Sequence, residues 1–261
     1  MISGASYNVF NGEEHLLNSL RHMSKSVDYI NIVVQYTSNL GNLATKELEK
    51  TMNQVESEKL ADEIFIYTPN LTIPPVRNEH RKRSIGLEMA KNAGVTHFMT
   101  MDCDEYYKTA EFLLAKEFIL ENGIQASAVA TYLHIKRPIW RSKDPDTTCC
   151  SFLTQITKNS EIEFGSRYPV MVDPTRRLHG DAEKFYFFDK SFISMKHMNL
   201  VRYNLNSKLA NSSNANDTKF MAQVRESYEK WKFGEILHFP NKPPMEIIEV
   251  DDLFGIDEQF V

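Results

Sequence analysis

Short apolar runs alternate with longer amphipathic segments through the first hundred residues, and that alternation restricts the chain to an α/β fold. Met1 to Ser6, Tyr29 to Tyr36 and Glu63 to Tyr67 read as strands, the second carrying Ile30, Ile32, Val33 and Val34. Between them, Glu13 to Met23 puts Leu16, Leu17 and Leu20 on one helical face, Leu43 to Ser57 is polar and helical, and Asn78 to Asn92 is a helix stopped by Gly94. A further strand runs from Val95 to Met101. Three strand-helix units in succession predict a doubly wound, mostly parallel sheet with right-handed crossovers. After a helix at Ala110 to Glu121 and a strand at Ala126 to Tyr132 the chain becomes strand-rich and aromatic, with Cys149 to Thr157 and Phe185 to Met195 as candidate strands. Tyr203 to Ala210 and Asp217 to Lys232 read as helices, and the Pro-rich tail from Phe239 as extended. The expected organisation is one domain over residues 1–214, divided into halves at 1–105 and 106–214, with a helical and extended extension over 215–261.

The strand from Val95 ends abruptly in Asp102-Cys103-Asp104-Glu105. No sheet interior tolerates such acids unpaired, so they must lie at the strand's C-terminal end. In an open α/β sheet that edge is where ligands bind. Two carboxylates spaced by one residue there form a hard-oxygen site suited to Mg2+ or Mn2+ carrying a diphosphate. A solvated acidic turn is the bland reading of the same tripeptide.

With 261 residues, 42% of them hydrophobic, the chain can bury a substantial core. Its formal charge of -5 argues against a general nucleic-acid binder, and the tightest basic cluster, Arg77 to Arg83, is broken by Asn78, Glu79 and His80. Cys103, Cys149 and Cys150 make neither a disulfide framework nor a zinc set, which fits a reducing cytoplasm. No basic-then-apolar leader precedes the first strand, and no apolar run approaches the roughly 20 residues that span a bilayer. Any membrane contact is expected to be peripheral.

Four elements in fixed order carry a resemblance: Ser3-Gly4-Ala5-Ser6-Tyr7-Asn8 with Asn11-Gly12-Glu13, the Arg77 to Gly86 segment, His97 to Glu105 with its D-x-D, and His197-Met198-Asn199-Leu200-Val201-Arg202. Together they look like the family 2 glycosyltransferases with the GT-A fold, over about residues 1–214. The resemblance implies a metal-dependent enzyme that moves a sugar from a nucleoside diphosphate sugar, UDP-sugar favoured, to a hydroxyl of a glycan or other acceptor, with inversion, as in polysaccharide biosynthesis. The first half would bind the donor and the second the acceptor.

Asp104 is then the first choice for a Mn2+ or Mg2+ ligand, Asp102 lies nearer the ribose or a metal-bound water, and His197 is the further metal ligand. Glu105 is a ligand or a solvated acid. Cys103 lies between the acids, as a packing residue within the nucleotide-sugar site. Ala5, Tyr7 and Asn8 would contact the nucleotide, Tyr7 as core packing being the alternative. Gln35 replaces an Asp common in the family but can still donate and accept to a base. Arg77, Arg81, Lys82 and Arg83 open the helix before the acidic strand, and spacing favours Arg77 and Arg81 for an anion. Lys196 or Arg202 would assist the leaving diphosphate, and Arg176 and Arg177 the acceptor or the phosphates. Inversion needs a carboxylate that deprotonates the acceptor. Asp173, ending an apolar run before Pro174, is the candidate base, ahead of Asp181 and Glu183, and an Asp capping a turn is its alternative. Trp140, Tyr168, Tyr186 and Phe187 are expected in the acceptor half, for stacking on a sugar or for packing. His15, His179 and His238 read as surface or hydrogen-bonded. Two other classes stay open, a non-catalytic nucleotide-sugar-binding module and a sugar nucleotidyltransferase; against the latter, the loop after the first strand lacks a Gly-rich run and a Lys.

Overall fold

The computed structural model describes residues 1–164, 168–179, 184–212 and 215–260. The first half alternates as the sequence predicts: β1 (Ser3–Val9), α1 (Glu13–Met23), β2 (Tyr29–Val34), α2 (Lys46–Ser57), β3 (Glu63–Ile66), α3 (Pro75–Asn92) and β4 (His97–Asp102). The sheet order is β3-β2-β1-β4, all parallel, and the short β9 (Thr154–Gln155) adds antiparallel to β4. Side-chain alternation divides the sheet into two faces. Ala5, Tyr7, Val9, Ile32, Val34, Met99 and Met101 pack with Leu16 and Leu20 of α1 and Leu48 and Met52 of α2. Phe98 packs on the other face with Leu87 and Ala90 of α3, so the sheet is doubly wound.

α3 lies unusually close to β1. A Cβ on Gly86 would stand 1.8 Å from Ser6 Oγ, and the Gly86 carbonyl accepts from Asn31 Nδ2 at 2.9 Å. That contact fixes the helix rotation. Asn78, Lys82, Gly86 and Ala90 face inward, one turn apart, while Arg77 and Arg81 face solvent.

The second half supplies β5 (Glu105–Tyr106), α4 (Thr109–Asn122), β6 (Ala126–Ile135), β7 (Arg137–Ser142), β8 (Cys150–Ser151), β10 (Glu161–Ile162), β11 (Leu178–His179), β12 (Phe185–Phe187) and β13 (Ser194–Leu200). α5 (Leu205–Ala210), α6 (Thr218–Lys230) and β14 (Ile247–Glu249) follow. A mixed sheet in the order β14-β7-β6-β13-β5 forms beside the first, with β8 and β12 also pairing β6. The C-terminal segment builds into it. β14 extends the edge at β7, and Met221, Val224, Trp231 and Leu237 share a core with Leu133, Ile135 and Leu200.

Three local expectations shift. β1 runs on to Val9, because Ser6 and Asn8 are the polar members of an alternating strand rather than a loop. Phe10-Asn11-Gly12 is therefore the connection to α1. His197 lies inside β13, not after a strand. α3 begins at Pro75, which suits a first helical position because it has no N–H to satisfy.

Two buried histidines, His15 bridging the halves and His134 within the β6–β7 hairpin, make the fold acid-sensitive. His15 Nε2 lies 2.6 Å from the Val201 carbonyl oxygen, and His134 Nδ1 lies 2.6 Å from that of Pro138. Burial pushes both rings down to about 3, His15 being further lowered by Arg202. The unfolded chain takes up these protons near pH 6.5, whereas the folded protein does not until about pH 3. Unfolding thus binds protons, and stability falls as pH falls below 6.5. Each ring contributes a loss of up to about 1.4 kcal/mol per pH unit, beginning above pH 5 where ordinary carboxylates are still charged. Denaturant melts at pH 7.0, 6.0 and 5.3 check this; a flat profile would contradict it.

Candidate active site

A cleft of about 210 Å³ opens at the C-terminal edge of the parallel strands. It lies where β1 parts from β4, the point at which strand order reverses and α/β sheets bind ligands. Asn8 at the end of β1, Gln35 just past β2, and Asn11 and Asn39 in the following loops line it. Asn8 Nδ2 and Oδ1, Asn11 Nδ2, Gln35 Oε1 and Asn39 Oδ1 are buried with no hydrogen-bond partner. Buried amides normally find partners, so a group of open ones on one cleft is a surface prepared for a ligand.

The D-x-D segment forms the opposite wall. Asp102 accepts from Arg83 Nη2 at 3.1 Å and from Arg176 Nη2 at 2.6 Å. Burial works against its charge, and the two guanidiniums outweigh it and hold the carboxyl well below the usual carboxylate range. Asp104 is 1% exposed. Its Oδ2 pairs with Arg202 and, at 3.1 Å, with Lys208 Nζ; its Oδ1 has no hydrogen-bond partner and lies 3.7 Å from His197 Nε2. Burial again opposes ionisation, and Lys208, Arg202 and then His197 overcome it. Strand pairing brings His197 there: β13 runs antiparallel to β5, with His197 opposite Glu105 and Met198 N donating to the Asp104 carbonyl at 2.7 Å. Burial lowers the His197 pKa, against the pull of Asp104 and Glu105.

Glu105 is neither a solvated acid nor open to a ligand. It is 1% exposed and forked by Arg176, at 2.9 Å and 2.5 Å. Arg176 is thus a buried clamp on Asp102 and Glu105 rather than an exposed acceptor contact. Arg83 also pairs with Glu79, and Arg202 with Glu14. Lys82 lines the cleft, 5% exposed and without an ion pair among the described residues, and burial lowers its pKa. Five carboxylates (Glu14, Glu79, Asp102, Asp104, Glu105) therefore face five cations (Lys82, Arg83, Arg176, Arg202, Lys208), and with a neutral His197 the cluster carries no net charge.

A second cavity of about 260 Å³ lies on the far side of Asp102 and is lined by Asp102, Glu105, Asp146, Asp173, Arg176, His197 and Asn199 among others. Asp173 Oδ1 accepts from Thr175 N and Thr175 Oγ, both at 2.8 Å, and caps the 3₁₀ turn at Pro174–Arg176. The turn-capping role and the position facing a cavity both hold. Asp173 makes no ion pair with any described residue, whereas Asp146 pairs with Lys242.

Not every expected residue reaches the site. Ala5 and Tyr7 are fully buried in the sheet core, with Tyr7 Oη 2.9 Å from Ser19 Oγ, because odd-numbered β1 residues face α1. Arg77 lies over the Phe164 ring and Arg81 is exposed; Lys82 and Arg83 take their place. Cys103 lines the cleft floor, 4% exposed, its thiol raised by burial and by Asp104 and Asp102, so it serves as packing. Lys196 is buried and bonds Ser194, away from both cavities. Trp140, Tyr168, Tyr186 and Phe187 line neither cavity; Trp140 stacks with Phe233, and Tyr186 packs on Phe118. Asp181 and Glu183 fall outside the described residues. Lys208, Asn39 and Asp146 come from segments with no local motif, and only tertiary packing brings them in. Among the described residues no cluster of three or more His, Cys, Asp or Glu side chains forms a metal centre. No described helix is long and apolar enough to cross a membrane.

No protein-family model matches the chain, and no curated protein matches it. Among solved structures it is similar to GalNAc-T7 with UDP, GalNAc and Mn2+, at 10% identity and TM-score 0.42, over 89% of this chain and 52% of that one. It is similar to residues 1–349 of S. aureus TarS in complex with UDP-GlcNAc, at 15% identity and TM-score 0.36, over 51% of this chain and 35% of that one. A third is a mannose-1-phosphate geranyltransferase from Thermus thermophilus, at 14% identity and TM-score 0.31, over 58% of this chain and 50% of that one. The chain thus spans about a third to a half of the length of each.

Proposed function

We propose that the protein is a glycosyltransferase that binds a nucleoside diphosphate sugar in the first cleft and transfers the sugar, with inversion, to a hydroxyl in the second. One arrangement carries this reading: two cavities share the Asp102 wall, one lined by open amides and the other by a carboxylate without an ion pair among the described residues. Asn8, Gln35 and Asn39 would read the base, and UDP-sugars are the first donors to test because amides match the donors and acceptors of uracil. Lys82, Arg202 and Lys208 would face the diphosphate.

Charge balance favours a divalent cation with the nucleotide. A diphosphate adds negative charge to a cluster that is already neutral, and a low-dielectric site does not hold that charge uncompensated. The partnerless Asp104 Oδ1 beside the His197 imidazole is a donor pair suited to Mn2+ or Mg2+. A cation held there would act as a Lewis acid on the departing diphosphate. Asp173 would accept the proton of the attacking hydroxyl.

Calorimetric titration of UDP with and without Mn2+ tests the reading. In the wild type, Mn2+ should tighten UDP binding tenfold or more. In Asp104→Asn that gain should vanish, while metal-free UDP binding holds or improves, because Arg202 and Lys208 lose a competitor for the phosphates. Enhancement by Mn2+ that survives in Asp104→Asn would overturn Asp104 as a ligand, and absence of UDP binding in the wild type would overturn the function. The turn-capping role of Asp173 also suits a non-catalytic sugar-nucleotide-binding module. Slow metal-dependent hydrolysis of the bound donor separates the two, since only the enzyme supports it.

A further inference from the structure

Behind Lys208 lies a third cavity, of about 200 Å³ and mostly apolar, between β13, α5 and α6. Leu200, Leu209, Met221 and Val224 line it with Phe220 and Phe239. It adjoins both parts of the site and shares lining residues with each. Lys208 borders it and the nucleotide cleft, while Asp146, Asn199 and Lys242 border it and the Asp173 cavity. Asn199 Oδ1, at that junction, is a buried acceptor without a partner. Interiors are ordinarily filled to crystal density, and an empty apolar space forfeits the contacts its lining could make. Here the space borders the Asp173 cavity along Asp146, Asn199 and Lys242, which sets it apart from an isolated packing fault.

We propose that this cavity seats an apolar chain of the acceptor. The acceptor would be an amphiphile whose hydroxyl-bearing head occupies the Asp173 cavity and whose alkyl portion lies between α5 and α6. The inference rests on the reading of the Asp173 cavity as the acceptor site. Specificity would then come from the chain as well as from the head group. Asn199 and the Asp146–Lys242 pair would mark the point where polar head gives way to apolar tail.

The test uses a series of n-alkyl β-glucosides, methyl, butyl, hexyl and octyl, each below its micellar concentration, titrated into the full chain by calorimetry with UDP and Mn2+ present. Methyl glucoside should give no measurable binding, and affinity should rise about fourfold per added methylene until the cavity is full. Val224→Phe, which fills the space without adding polarity, should weaken octyl glucoside tenfold or more and leave UDP affinity unchanged. Met221→Phe serves where Val224→Phe fails to fold, a cooperative denaturant melt being the check on folding. Octyl glucoside binding no better than methyl glucoside would overturn the proposal. So would chain-length dependence that persists unchanged in a folded filling variant, because the chain would then sit elsewhere, for example on the exposed Leu113 and Leu114 of α4. Failure of the functional reading is separable, since it appears as absent UDP binding, which the glucoside series does not report.

Discussion

Asp173→Asn is expected to lower sugar transfer by about 10²- to 10⁴-fold while UDP and Mn2+ affinities stay at wild-type values, the span typical of a removed general base. The substitution is chosen for what it keeps. Asn still accepts from Thr175 N and Thr175 Oγ, and it caps turns about as well as Asp. Pro174–Arg176 should therefore hold its conformation, and Arg176 with it. What is lost is the ability to take a proton. The other carboxylates around the second cavity are poorly placed to substitute, because Glu105 and Asp102 are held by arginines and Asp146 by Lys242. The measurement is donor turnover, with water standing in for the acceptor, set beside calorimetric UDP binding. Equal loss of turnover and binding would place Asp173 in the nucleotide site or the fold. Undiminished turnover would remove it as base.

The parallel core was legible because β2 and β4 are short, mostly apolar runs, and because they and β1 are separated by helices with clear starts and stops. The acids at the end of β4 were legible for a simpler reason: a strand interior cannot hold them unpaired. Local pattern did not show which partners pair them. The side chains that neutralise Asp102, Asp104 and Glu105 come from α3, the Pro174 turn, the end of β13 and α5, and periodicity says nothing about how those segments meet.

The choice between Arg77/Arg81 and Lys82/Arg83 shows the same boundary. Both pairs open one helix, and spacing alone cannot say which turns inward. The deciding contact is Gly86 against Ser6, which lies in another element. Tyr7 failed as a ligand through register, since one residue along a strand reverses the face. Asn8 and Gln35 face the cleft because they end their strands at its edge. His197 was placed by family likeness rather than by pattern, and it reaches Asp104 through the β5–β13 pairing.

Arg176→Met should cost about 3–5 kcal/mol of stability, the usual penalty for leaving a buried charge without its partner. Met is of similar length and apolar, so packing is largely kept and the electrostatic loss dominates. Glu105 is 1% exposed, and Arg176 supplies both of its ion-pair contacts among the described residues; Glu105 also accepts from Asp102 N at the end of β4 and lies opposite His197 of β13, so the two sheets meet at this residue. Against a typical total of about 5–15 kcal/mol, such a loss brings the protein close to unfolding at 37 °C. Arg176→Lys should fall short of restoring stability, because an ammonium cannot fork two carboxylates at once. The double variant Arg176→Met with Glu105→Gln should recover more than about 1 kcal/mol over the single, since the orphaned charge is gone. Acidity gives a further signature. An uncompensated carboxylate can shed its penalty by taking up a proton, so the deficit of Arg176→Met relative to the wild type should shrink as pH is lowered from 7 towards 5. Denaturant melts of the three proteins at both pH values decide it: a deficit that is independent of pH and untouched by Glu105→Gln would mean that Arg176 holds the turn by packing, and that Asp102 and Glu105 do not depend on its charge.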